Sequence, residues 1–381
     1  MLVQQALATM SNLVVPVIAP AIIADLGIGA GYVGAFSALT YGAAMVSSLV
    51  GGGFMLRYGA LRVSQACIVV TGIGLAVAGG GSLALFAVAA ILLGLGSGPS
   101  TPASSHILAR FAPPRLAPFI FSVKQTGVPL GGVLAGALAT ALVAVFGWQG
   151  TLVVLSLAYF GFVLVVQPIR ARIDDDRDPH RPVTVGDVGR PLRAVLWEAR
   201  IRELAIASCV YTGAQIVFGA FLVVYLAKGL GYSLAAAGTI YAVAQGSGII
   251  GRVVLGWVAS RFVAPRTLLG ILGVAMAAAL VAIALLGGRD TGVVVAACLA
   301  FGLTGVSFQG VLLAEVARCA PPGLAGLVTG GVVFFAYGSM VVYPAAAGAW
   351  IGATGAFPAI FLAAALPAFV VGVRFLVRRS V

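Results

Sequence analysis

The chain has 381 residues, of which 61% are hydrophobic and only 8% are charged. A water-soluble domain of this length needs far more charged surface, so the composition excludes that class and predicts a membrane protein. The formal net charge is +12, which on its own would suggest a nucleic-acid partner. The positions of the charges indicate membrane topology instead, as described below.

Apolar runs of about 20 residues recur along the sequence, each long enough to cross a hydrocarbon core roughly 30 Å thick. The runs are continuous rather than alternating, which is typical of membrane helices and not of a β-barrel. In chain order the predicted spans cover residues 4–25, 31–56, 63–81, 84–109, 117–145, 148–168, 201–227, 233–258, 267–287, 291–317, 324–350 and 355–376.

The basic residues are distributed unequally between the two sides of these spans. Lys124 and Arg252 lie within spans, Lys228 and Arg289 lie in loops on one side, and every other Lys and Arg lies on the opposite side. The positive-inside rule makes that opposite side cytoplasmic. We therefore predict a multi-pass protein of the bacterial cytoplasmic (inner) membrane with both termini in the cytoplasm. Its surroundings are the lipid bilayer, and no nucleic-acid partner is expected. We also expect the protein to function as a monomer.

An internal repeat divides the chain into halves. The segment 109–117 (ARFAPPRLA) returns as 317–325 (ARCAPPGLA), in each case at the end of the fourth span of a half. The longest polar stretch, 169–200, then reads as a cytoplasmic linker whose acidic residues are expected to be solvated. The repeat predicts an all-α fold of twelve transmembrane helices in two pseudo-symmetric six-helix halves, 1–168 and 201–381.

The loops after spans two and eight carry related motifs, formed by Gly52, Arg57, Gly59 and Arg62 and by Gly256, Arg261 and Arg266. These residues match the loop signature G-x-L-x-D-R-x-G-R-R of the major facilitator superfamily, which the chain resembles over essentially its whole length. The resemblance implies an alternating-access transporter in which these residues hold a cytoplasmic gate. Leu56 and Ser260 replace the acidic residue of the signature, so the arginines are expected to lack their usual partners.

Lys124 and Arg252 are each the only charge in their span. A charge at the bilayer centre costs at least ~2.5–3.5 kcal/mol, so such residues usually mark a substrate path. Spans five and eight adjoin in the facilitator architecture, and the resemblance therefore implies that both cations line one cavity. Two cations in a low-dielectric site repel unless an anion lies between them. Because no acidic residue lies near a span centre, we predict a small anionic substrate.

Other polar residues extend this candidate site. Tyr241, Gln245, Gly248 and Arg252 fall on one face of span eight, which is expected to face a wet cavity. Weaker candidates for substrate contacts are Asn12, Gln125, Tyr211, Gln215, Gln309 and Tyr337. His106 is a candidate for proton coupling, because histidine titrates near neutral pH. The sequence contains no metal-ligand grouping, cofactor motif or catalytic constellation, so neither an enzyme nor a cofactor is expected.

The stretch Arg252-Val-Val-Leu-Gly256 resembles the Arg-x-x-x-Gly segment of monocarboxylate transporters and oxalate/formate antiporters. That resemblance implies that Arg252 binds a substrate carboxylate, while cyanate- and nitrate-type carriers fit the cation pair about as well. We predict a transporter of a small organic anion, by exchange, uniport or symport. One alternative is a multidrug or metabolite efflux antiporter, since residues 127–132 resemble the Gly/Pro-rich motif of that group. The other is a non-transporting membrane sensor or scaffold.

Overall fold

The computed structural model describes residues 1–28, 31–182, 186–286 and 290–377, so Arg289 lies outside the described residues. The described chain is helical and contains no β-strand. Its helices are α1 (Leu2–Leu26), α2 (Gly31–Tyr58), α3 (Ala60–Ala78), α4 (Leu83–Ser97), α5 (Ser100–Phe111), α6 (Ala117–Gln125), α7 (Gly127–Leu134), α8 (Thr140–Val166), α9 (Arg170–Ile173), α10 (Gly186–Trp197), α11 (Ala199–Val224), α12 (Leu234–Arg261), α13 (Pro265–Leu286), α14 (Thr291–Gly305), α15 (Gln309–Cys319), α16 (Ala325–Thr354) and α17 (Phe357–Val377).

Eleven helical runs of the described chain are long and apolar enough to cross a membrane. One of them, Ala117–Ile173, has 57 residues and contains the fifth and sixth predicted spans. Gly147 interrupts this run with φ 66° and ψ 175°, a conformation that glycine adopts easily because it has no Cβ. The all-α polytopic fold predicted from the sequence is therefore confirmed.

The first of two compact units consists of Met1–Phe111, Thr126–Arg202 and Val316–Tyr337. Its helices pack closely where glycines face a neighbouring backbone. A Cβ added to Gly127 on α7 would lie 2.6 Å from the main-chain oxygen of Leu2 on α1, so only glycine allows this approach. The centre of the unit is filled by fully buried apolar side chains, including Val14, Leu75, Leu93 and Leu152.

The second compact unit consists of Ala112–Gln125, Glu203–Glu315 and Gly338–Val381. Here α13 packs along α17, and α6 packs along α12. A Cβ on Gly256 of α12 would lie 2.5 Å from the Cβ of Ser122 on α6, which fixes how closely these two helices approach. Each unit contains residues from both predicted halves. The division of the chain into two halves joined by a linker at 169–200 stays a prediction.

Candidate cation and glutamine site

Arg252 is fully buried on α12, with none of its surface exposed. Its Nη1 donates to the main-chain oxygen of Gln125 at 2.5 Å, and its Nη2 donates to Oε1 of Gln309 at 3.4 Å. Its Nε has no hydrogen-bond partner among the described residues. Since no carboxylate of the described chain forms an ion pair with it, the buried guanidinium is held only by neutral oxygens.

Lys124 joins the same site from α6. Its side chain is also buried, with 4% of its surface exposed, and its Nζ donates to Oε1 of Gln125 at 2.9 Å. Gln125 therefore holds both cations, Lys124 through its side chain and Arg252 through its main chain. The expectation that Lys124 and Arg252 come together agrees with this geometry.

A chain of glutamine amides continues from this pair. Nε2 of Gln125 donates to Oε1 of Gln309 at 3.3 Å, and Nε2 of Gln309 donates to Oε1 of Gln215 at 3.4 Å. The network links α6, α12, α15 and α11, and all of its residues belong to the second unit. Each glutamine is a separate candidate in the sequence, and the hydrogen bonds between them are visible only in the tertiary structure. Because an amide both donates and accepts, the three side chains can reorganise around a polar ligand.

Ser122 explains why α6, α12 and α15 meet at this point. The Cα hydrogens of Gly256 on α12 and Gly310 on α15 both face it, and a Cβ on either residue would collide with Ser122. One turn further out, the main-chain N–H of Phe119 donates to Oγ of Ser260 at 3.1 Å. The two glycines thus let three helices approach closely enough for the glutamine side chains to touch.

The polar face of α12 is not open along its whole length, which corrects the expectation from the sequence. A Cβ at Gly248 would lie 2.7 Å from Cγ1 of Val306, so this part of the face is packed. Further along, Nε2 of Gln245 donates to the Tyr241 hydroxyl at 2.9 Å. The Tyr241 ring lies 6.2 Å from that of Phe218. Tyr241 and Gln245 pair with each other and form no hydrogen bond with Arg252.

The remaining predicted contacts lie elsewhere. Tyr211 is buried in the second unit, where its hydroxyl donates to the main-chain oxygen of Leu269 at 3.0 Å. Tyr337 belongs to the first unit and stacks on Tyr41, with ring centroids 6.4 Å apart. Asn12 is also in the first unit, and its Oδ1 has no hydrogen-bond partner among the described residues.

Two acidic residues from outside the loop motifs interact with them, which the sequence did not suggest. Asp174, only 3% exposed, accepts hydrogen bonds from the main-chain N–H groups of Leu61 (2.7 Å) and Arg62 (3.0 Å). In the second unit, Glu203 on α11 forms ion pairs with Arg266 and Arg374. Arg266 therefore has an acidic partner from outside the motif in place of the usual one, whose position is occupied by Ser260.

The other motif residues have fewer contacts. Gly59 adopts φ 95° just before α3, a left-handed conformation that favours glycine, and it lies directly beside Asp174. Gly52 packs against Leu327, and the Arg57 guanidinium lies 5.3 Å from the centre of the Tyr58 ring. Arg261 is the last residue of α12.

The linker carboxylates are not simply solvated, contrary to the expectation from the sequence. Nε2 of the buried His106 lies 2.7 Å from Oδ2 of Asp176. Nη2 of Arg110 donates to Oδ1 of Asp175 at 2.5 Å, and this hydrogen bond lowers the pKa of the Asp175 carboxyl. These contacts attach the linker to α5, so His106 has a structural partner in the linker carboxylate Asp176.

Comparisons with known proteins agree with this architecture. The Major Facilitator Superfamily model matches residues 1–344. A 133-residue stretch is 26% identical to the 4-hydroxybenzoate transporter PcaK of Acinetobacter baylyi, covering 35% of this chain and 29% of PcaK. The match thus spans well under two thirds of that relative. Among the described residues, no group of three or more His, Cys, Asp or Glu side chains could hold a metal ion.

Two solved structures share the fold at low sequence identity. The crystal structure of the human organic anion transporter MFSD10 (TETRAN) superposes with a TM-score of 0.81 and 14% identity, covering 98% of this chain and 97% of that one. The E. coli fucose:proton symporter FucP gives a TM-score of 0.76 and 16% identity, covering 100% and 98%. With the family match over residues 1–344 and the eleven candidate membrane spans of the described chain, the chain belongs to the Major Facilitator Superfamily and is a multi-pass membrane protein.

Proposed function

We propose that this protein transports a small organic anion, a carboxylate, by alternating access. Arg252 would be the main contact of the anion and Lys124 the second. The observation that carries the proposal is the fully buried Arg252, whose hydrogen bonds within the described chain go only to neutral oxygens. The protein would act as a monomer in the bacterial cytoplasmic membrane, with both termini in the cytoplasm.

The energetics of burial support an anionic ligand. A buried charge without a compensating opposite charge costs several kcal/mol of solvation, and neutral hydrogen bonds recover only part of it. A planar carboxylate would offer two oxygens to the guanidinium fork of Arg252, and such bidentate pairs are the strongest of these contacts. Lys124 would add a compact second positive charge. The Nε of Arg252, which has no partner among the described residues, supplies a free donor for such a ligand.

The glutamines would complete the contacts of the substrate. Gln125 and Gln309 already contact the cations, and their amides can exchange one hydrogen bond for another with little loss. The similarity to PcaK, a transporter of 4-hydroxybenzoate, and to MFSD10, an organic anion transporter, favours the same substrate class. The similarity to FucP makes a neutral sugar the competing class, but a sugar would leave the charge of the buried Arg252 uncompensated.

Uptake by purified protein in proteoliposomes tests the proposal. A thermal-shift screen against acetate, benzoate, 4-hydroxybenzoate, cyanate, nitrate and fucose would first identify the ligand, because a compound that binds the folded state raises the melting temperature. Uptake of the best radiolabelled ligand is then compared in wild type, Arg252→Ala and Lys124→Ala. Arg172→Ala, an exposed linker arginine, is the matched control.

We expect a carboxylate to stabilise the protein, and both site variants to lose at least nine tenths of uptake while Arg172→Ala keeps it. Melting temperatures measured without ligand show whether each variant is folded. Unchanged anion uptake in both site variants, or stabilisation by fucose alone, would overturn the proposal.

A further inference from the structure

A cavity of about 1090 Å³ lies in the first unit beside the linker helix α10. Its walls combine two kinds of side chain. The apolar floor and the basic rim are formed mainly by Leu324, Leu327 and Val328 and by Arg181, Arg190 and Arg193. An apolar floor beneath a basic rim is complementary to a molecule with an acyl chain and an anionic headgroup.

The charges of the rim are not balanced by its carboxylates. Oδ1 of Asp187 lies 2.8 Å from Nη1 of Arg190 and 3.5 Å from Nη2 of Arg181, so one carboxylate serves two guanidiniums. Arg193 pairs with no carboxylate of the described chain, and its guanidinium lies 5.5 Å from the centre of the Trp197 ring. Glu198 also lines the cavity, but the rim remains net positive.

The cavity lies where membrane spans end. It is bordered by Ile201 and Cys319, which belong to the terminal turns of the candidate spans Ala199–Gly229 and Thr291–Cys319. Lipid headgroups occupy this level of a bilayer. The rim also belongs to the side that carries most of the Lys and Arg, which the positive-inside rule makes cytoplasmic.

Helix α10 has the composition of a helix that lies in the membrane interface. Pro191 and Val195 are buried and face Gly331 on α16. On the other face, Trp197 is 75% exposed and Leu196 is 52% exposed, next to the basic residues. Tryptophan is enriched at membrane interfaces, and arginine is enriched beside span ends on the cytoplasmic side.

We propose that this cavity binds an anionic phospholipid of the leaflet on the arginine-rich side. The lipid phosphate contacts Arg193 and Arg190, and an acyl chain lies over Leu324 and Leu327. The Trp197 ring covers the glycerol region. The inference is independent of the substrate, because the cation and glutamine site belongs to the other compact unit.

Fluorescence quenching by brominated lipids tests the proposal directly. The 381-residue protein is reconstituted in phosphatidylcholine vesicles with increasing fractions of phosphatidylglycerol, and the acyl chains of one or the other lipid are brominated. The difference between wild type and Trp197→Phe isolates the signal of Trp197 from that of the other tryptophans. We expect brominated phosphatidylglycerol to quench Trp197 more strongly than brominated phosphatidylcholine at equal fractions, and soluble glycerol phosphate not to compete.

Three charge variants test in which direction the preference for phosphatidylglycerol changes. Arg193→Gln should weaken the preference for phosphatidylglycerol about fivefold, because a basic residue near an anionic surface contributes about 1 kcal/mol. Glu198→Gln removes a like charge and should strengthen that preference. Arg172→Gln, an arginine of the same linker outside the cavity, is the matched control and should change it less than twofold.

Equal quenching by the two lipids would overturn the proposal, as would competition by glycerol phosphate. A weaker preference in Glu198→Gln would indicate a zwitterionic lipid whose ammonium group meets that carboxylate, and would overturn it too. Since Glu198→Gln acts in the opposite direction to a loss of folding, it keeps the test decisive if Arg193→Gln proves unstable.

Discussion

Arg252 on α12 donates a hydrogen bond to the main-chain carbonyl of Gln125 on α6, a neutral acceptor from the residue next to Lys124. A main-chain carbonyl cannot be titrated, and it is fixed by its helix. The contact therefore orients the guanidinium without cancelling its charge. Within the described chain this leaves Arg252 available to an anion from outside the protein.

Replacement of Arg252 by lysine distinguishes the effect of its positive charge from the effect of its planar guanidinium group. Arg252→Lys keeps a cation but loses the planar fork that binds two carboxylate oxygens. We expect the affinity for a carboxylate ligand to fall at least tenfold, about 1.4 kcal/mol, as measured by titration of the purified protein. Equal carboxylate affinity in Arg252→Lys and wild type would show that a positive charge alone holds the ligand, without a two-oxygen contact.

Replacement of Gln309 by glutamate would place a carboxylate inside the site. Oε1 of Gln309 already lies 3.4 Å from Nη2 of Arg252, and Gln309→Glu is nearly isosteric. The new carboxylate should pair with Arg252, raise the melting temperature of the ligand-free protein and lower anion affinity at least tenfold.

Gln215→Glu is the matched control for this substitution, because Gln215 contacts Gln309 and not Arg252. We expect a smaller loss of affinity in that variant. The same loss in both would mean that added negative charge acts at a distance rather than by pairing with Arg252.

The carboxylate of Asp174 should contribute to stability through the start of α3. It accepts two main-chain N–H groups there, and loss of hydrogen bonds from buried donors costs about 1–3 kcal/mol. We expect Asp174→Ala to lower the melting temperature in detergent. Asp175→Ala should have little effect, since its carboxylate is exposed and exposed ion pairs contribute little. Equal melting temperatures for the two variants would contradict this role.

The close packing at Ser122 predicts a selective rescue. A Cβ at Gly256 would collide with the Ser122 side chain, whereas a Cβ at Gly310 would also collide with the main chain of Ser122. Gly256→Ala and Gly310→Ala should each destabilise the protein, by about 1–3 kcal/mol. Adding Ser122→Gly should restore much of the stability of Gly256→Ala and little of that of Gly310→Ala. Equal rescue of both, read from melting temperatures, would refute this packing.

The sequence predicted the parts of this protein that depend on local composition. Hydropathy located the spans, and the break at Gly147 falls between the fifth and sixth predicted spans. The cost of burying charge singled out Lys124 and Arg252. These inferences need no knowledge of which helix faces which.

Contacts between distant segments could not be predicted in the same way. Asp174 reaches Leu61 across 113 positions of sequence, and Glu203 reaches Arg374 across 171. Nothing in the local pattern marks either carboxylate as a partner. The packing at Gly248 was missed for the same reason, because helical periodicity defines a face but not the neighbour that covers it.

The hydrogen bonds of Asp174 and Asp176 also change where this chain should be divided. Both carboxylates bind back to the first unit, at α3 and at His106, although they follow the last predicted span of the first half. A gene fragment that stops at residue 168 would therefore omit the groups that hold α3 and α5 in place. Fragments intended for separate expression and reassembly should keep this part of the linker on the N-terminal piece.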